Sequence, residues 1–102
     1  MRQRAAHLTI ASAQTGTVLV AAAPGQSLYL AGAVIAAAGG NTATPAVTIK
    51  LGAQPVFSHP GVPAGGGLAI SGFDVAGGQG EPITIDCDNP GGTVTVMVAF
   101  GA

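Results

Sequence analysis

The sequence predicts an all-β protein: a single antiparallel β-sandwich, jelly-roll-like, of about eight short strands. Three observations carry this. Apolar and β-branched residues alternate with their neighbours at a period of two, most clearly near the end, where Val94, Val96, Val98 and Phe100 oppose Thr93, Thr95, Met97 and Ala99. Seventeen Gly and seven Pro are scattered through the whole length and would interrupt any helix longer than two turns. Turn signals recur at short intervals, as a sandwich or jelly roll requires. The 102 residues leave room for one core; a chain of this size buries about 65% of its unfolded surface.

Taken in order, the strands are expected at His7–Ala11, Thr17–Ala22, Ser27–Ala37, Ala46–Leu51, Gln54–Ser58, Leu68–Phe73, Ile83–Cys87 and Thr93–Phe100. Val47, Ile49 and Leu51 oppose Thr48 and Lys50, and Ile83 and Ile85 oppose Thr84 and Asp86. Pro24-Gly25, the polar loop Asn41 to Pro45, the run His59 to Gly67 and Asn89-Pro90-Gly91-Gly92 supply the reversals. Gly65-Gly66-Gly67 and Gly77-Gly78 read as loops, because no Gly-Lys-Ser/Thr follows to cradle a phosphate. Residues 1–15 are assigned to an N-terminal arm with the first strand, and residues 16–102 to the sandwich.

Ser27–Ala37 breaks the alternation. Leu28, Leu30, Val34 and Ala36 fall on one side, and Tyr29, Ala31, Ala33, Ile35 and Ala37 on the other. A strand apolar on both faces is covered on both. Either a long loop or another copy of the chain can supply the second cover. Tyr29, Ala31, Ala33, Ile35 and Ala37 are accordingly the expected interface of a homo-oligomer, a trimer in preference to a dimer.

Charge is the unusual property. Only 7% of residues are Asp, Glu, Lys or Arg, and the formal net charge is −1; a typical soluble domain carries about 25%. A surface of Ala, Gly, Thr, Ser, Asn and Gln loses little on desolvation, which suits a protein that lives against other protein. Two of the three basic residues, Arg2 and Arg4, sit in the first four positions, so a basic arm precedes a mildly acidic body. Four aromatic residues and one body lysine do not make the basic, aromatic-interleaved stripe of a nucleic-acid binder.

No membrane helix is expected. Val18 to Ala38 is uncharged, but Pro24-Gly25-Gln26-Ser27 splits it into pieces too short to span a bilayer. Gln14-Thr15-Gly16 likewise interrupts the apolar run a secretory signal needs.

No catalytic, cofactor or metal site is expected. His7 and His59 lack a nucleophile elbow or an orienting partner. Asp86-Cys87-Asp88-Asn89 resembles the start of a calcium loop but lacks its glycine and distant Glu, so a strand-end turn is the simpler assignment. Cys87 is alone, excludes an intrachain disulfide and reads as a small core residue.

The order of segments resembles a known group. Pro-Gly-Gln-Ser-Leu-Tyr-Leu-Ala-Gly (24–32), Ala-Val-Thr-Ile-Lys-Leu-Gly (46–52), Pro-Val-Phe-Ser-His-Pro (55–60), Gly-Leu-Ala-Ile (67–70) and Gly-Glu-Pro-Ile-Thr-Ile-Asp (80–86) follow one another before a Gly-Gly-turned last strand. This cadence, over about residues 16 to 101, is similar to the small β-sandwich accessory proteins of tailed-bacteriophage virions. The resemblance implies a capsid decoration or cement protein on the outer surface of the head, made in the host cytoplasm, with the major capsid protein as partner and no enzymatic activity. A head- or tail-attached module binding a host-surface glycan is the alternative. Arg2 and Arg4 lie outside the resemblance and are expected to anchor the arm to the shell; the alternative is that the arm adds to its own sheet or to a sister subunit's.

Overall fold

A computed structural model describes residues 4–102, the side chain of Phe73 excepted. Eight strands form among them: β1 (Arg4–Ile10), β2 (Gln14–Val20), β3 (Ser27–Ala37), β4 (Val47–Leu51), β5 (Gln54–His59), β6 (Gly67–Gln79), β7 (Ile83–Cys87) and β8 (Val94–Gly101). They make two antiparallel four-stranded sheets, one ordered β1-β8-β3-β6 and the other β2-β7-β4-β5. The chain changes sheet at every connection except the β4–β5 hairpin. That interleaving is the double Greek key of a jelly roll. The hairpin turns on Gly52 and Ala53, with Leu51 opposite Gln54 and Gly52 at φ 61, a conformation only glycine adopts without strain.

The core lies between the sheets, as alternation demands. Ile10, Leu28, Leu30, Ala33, Ile35, Val94, Val96 and Val98 come from the first sheet; Val47, Ile49, Leu51, Ile83, Ile85 and Cys87 come from the second. Val62, in the β5–β6 connection, is fully buried and is fixed by its amide donating to the Pro45 carbonyl at 2.9 Å. Asn41 ties the β3–β4 loop to the start of the last strand: its amide nitrogen donates to the Thr93 carbonyl at 2.9 Å, and its Oδ1 accepts from the Thr93 amide at 2.8 Å.

Three expectations need correction. β6 runs on to Gln79 rather than ending at Phe73, and Gly77 and Gly78 belong to it rather than to a loop. A Cβ on either would be a tight fit, 3.3 Å from Leu51 Cδ2 at Gly77 and 3.0 Å from Glu81 Oε1 at Gly78. The first strand starts at Arg4 rather than at His7, and it pairs with β8 along its whole length. The third concerns β3. Against β8, Leu30 and Gly32 face the adjacent Phe100 and Ala99, so Ala31 is an extra residue and the strand changes phase there; against β6 the extra residues, 72–74, lie on β6 instead. Leu28 and Leu30 point into the core before the bulge, and Ala33, Ile35 and Ala37 do so after it.

Candidate interaction surfaces

The phase change at Ala31 decides which residues are available for contact. Ala33, Ile35 and Ala37 are 3%, 0% and 8% exposed within the single chain. They belong to its own core and cannot form the interface assigned to them from alternation. Tyr29 and Ala31 are half-buried, and Val34 and Ala36 are the outward residues of the strand's second half. Arg4 is exposed on β1, beside Phe100, Leu28 and Gln26 at the rim of a cleft of about 250 Å³. Arg2 lies outside the described residues.

With the phase corrected, the outer face of the first sheet can be read in rows across β1, β8, β3 and β6. The rows are Thr9–Thr95–Ala36–Gly67, His7–Met97–Val34–Ala69 and Ala5–Ala99–Gly32–Ser71. None of these twelve positions is Asp, Glu, Lys or Arg. Val34 and Met97 are 39% and 42% exposed at the centre. Beside them, Ala5, Gly32, Ser71 and Ala99 leave a shallow, almost wholly apolar hollow of about 160 Å³. Gly32 keeps it open, since a Cβ there would lie 3.1 Å from the Ile70 carbonyl oxygen. These three rows therefore form a face without Asp, Glu, Lys or Arg, with Met97 as its large flexible side chain.

The outer face of the second sheet is the opposite. Thr48 and Ser58 share a hydrogen bond at 3.1 Å across β4 and β5. Lys50 on β4 pairs with Asp86 on β7 at 2.9 Å. The other Asp86 oxygen, Oδ1, accepts from the Gly16 amide at 2.7 Å, bracing the bulged start of β2. These contacts hold the Asp86 carboxyl below its usual value, the Gly16 amide contributing most and Lys50 next.

The other carboxylates also brace loops. Asp88 Oδ2 accepts from the Ala46 amide at 3.2 Å, and Glu81 Oε1 accepts from the Gly78 amide at 2.5 Å. Asn89 closes its turn by accepting from the Gly91 amide at 3.0 Å. The 86–89 segment is therefore a strand-end brace. His59 does similar work, its Nδ1 accepting from the Gly61 amide at 3.1 Å, while His7 sits on the other sheet. Cys87 is 4% exposed in the core, where burial first and the nearby Asp88 charge second push its thiol pKa up. Among the described residues, no three His, Cys, Asp or Glu side chains come together as a metal site would need. Among the same residues, no helix is long and apolar enough to cross a membrane.

Asp86 gives a test with a sign. A carboxyl whose pKa is lowered by folding adds stability that is fully present above about pH 4 and is lost as pH falls through the native value. Asp86→Asn is expected to destabilise the domain by about 1 kcal/mol at neutral pH, a figure discounted for solvent screening of a partly exposed group. The difference between the two proteins should shrink as pH falls below about 4, because the wild type then loses the same contribution. Urea melts of both proteins at neutral and acidic pH measure it.

No family model matches the chain, and no curated protein matches it. Among solved structures it is similar to a chain of the acidic stable capsid structure of Helicobacter pylori bacteriophage KHP30, with a TM-score of 0.66 and 12% identity. The superposition takes in 96% of this chain and 85% of that one. At this identity the likeness concerns the fold, and it matches one sandwich with another almost end to end.

Proposed function

We propose that the chain is a structural protein of a tailed-phage virion. It binds as a homo-oligomer to the outer surface of the head and decorates and stabilises the shell of major capsid protein. The observation that carries this reading is the end-to-end likeness to a capsid-structure chain of similar length. The charge-free outer face of the first sheet supports it further, because packing such a face onto a neighbour strips no ions of water.

The protein acts without chemistry of its own. A protein that binds the assembled shell and not its separated subunits shifts the assembly equilibrium by mass action. The gain is about 2.7 kcal/mol per site when its concentration is 100 times its dissociation constant. Contacts made through Val34, Met97 and the hollow beside them are apolar, so binding should survive about 0.5 M salt, which shortens electrostatic reach to a few Å. Binding lost at that salt would instead point to the arm residues Arg2 and Arg4. Separating virions into heads and tails and probing each fraction tests the location. Recovery with heads is expected; recovery with tails alone would overturn the decoration role and favour the glycan-binding module.

A further inference from the structure

The two free edges of the first sheet, β1 and β6, match each other. From the pairing registers, the inner-face rows run Leu8–Val96–Ile35–Leu68, Ala6–Val98–Ala33–Ile70 and Arg4–Phe100–Leu30–Val75. Each begins on β1 and ends on β6. Each of the three neighbouring strand pairs is antiparallel, so β1 and β6 run in opposite directions. A second copy set beside the first in the same orientation therefore brings its β1 against β6 as an antiparallel neighbour, with the rows in line.

β6 is an edge in want of cover. Its thirteen residues contain no Lys and no Pro, the usual guards of a free edge. Leu68, Ile70 and Val75, all on it, are 41%, 41% and 36% exposed. Its one charged residue is Asp74, exposed and adjacent to Val75. Arg4, also exposed, is the residue of β1 at the level of Val75.

We infer that copies of this chain join head to tail through these edges. In the joint, β1 of one copy lies along β6 of the next, with Leu8 beside Leu68, Ala6 beside Ile70, and Arg4 paired with Asp74 across it. The contact is between two different surfaces, so identical copies repeat it, each using each edge once, and a ring closes where the sheet's twist rotates successive copies about a common axis. The bulge at residues 71–75, where Gly72 has φ 82, interrupts the ladder of β6. It leaves residues 67–71 as the stretch that pairs and Asp74 as the charged contact beyond it. The inference rests on the oligomeric part of the proposed function and not on the particle.

Light scattering on the purified protein tests it. The wild type is expected at an integer multiple of 9.7 kDa at tens of micromolar. Arg4→Asp and Asp74→Arg should each raise the dissociation midpoint roughly tenfold, since a reversed charge turns an exposed attraction into a repulsion. The double reversal should restore it. Ile70→Lys should abolish association, and Val34→Lys, on the outer face, should leave it unchanged. Both reversals change exposed side chains and carry the test even if Ile70→Lys fails to fold. An oligomer indifferent to both reversals would overturn the edge joint while leaving the oligomeric reading intact. A 9.7 kDa species at every concentration would overturn both.

Discussion

Ala33→Glu is expected to leave no folded domain at 25 °C, whereas Val34→Glu, one residue along, should change stability by no more than about 0.5 kcal/mol. Ala33 is 3% exposed and lies in the core between Val98 of β8 and Ile70 of β6. A carboxylate there has no partner, and an uncompensated buried charge costs at least about 3–5 kcal/mol. That is a large share of the roughly 5–15 kcal/mol that holds a small domain together. Val34 faces out at 39% exposure. Circular dichroism and urea melts of the two variants read the difference directly. A folded Ala33→Glu beside an unfolded Val34→Glu would mean that β3 keeps a single phase and that the bulge at Ala31 is absent.

Ile85→Ala should cost about 2–5 kcal/mol. Ile85 is fully buried on β7, with Thr17 of β2 and Ile49 of β4 as its register partners on either side. Truncation leaves a cavity in the middle of a sheet hydrogen-bonded on both sides, where relaxation is least available. A loss under 1 kcal/mol in urea melts would show the second sheet to be more loosely packed than its burial implies.

The strands were legible because each half-buried strand writes its period into the sequence. β4 was expected at Ala46–Leu51 and β8 at Thr93–Phe100, and both lie within a residue of those bounds. β7 was matched at both ends. Where the reading failed, a local departure from regular geometry was responsible. The bulge in β3 reassigns Ala33, Ile35 and Ala37 from an outer face to the core. Its signal was Gly32, since a glycine inside a strand marks a bulge or a close approach. Gly77 and Gly78 read as a loop because the close packing of Glu81 and Leu51 against them is a tertiary fact, invisible in the local pattern. The outward residues of β8 were identified. That they belong to a face without charge across four strands could not be, because the rows follow from pairing between residues as distant as Ala5 and Ala99. Asp86 and Asp88 were placed in a strand-end turn, but their partners Gly16, Lys50 and Ala46 come from elsewhere in the chain.

The central claim is that this sandwich works by docking onto a phage shell, and adding purified protein to heads that lack it tests this most directly. Binding is expected to saturate at a fixed ratio to the major capsid protein and to raise the temperature at which the heads open. Val34→Glu and Met97→Glu should weaken it without unfolding the protein. Binding that never saturates, or saturates with no change in opening temperature, would contradict the account.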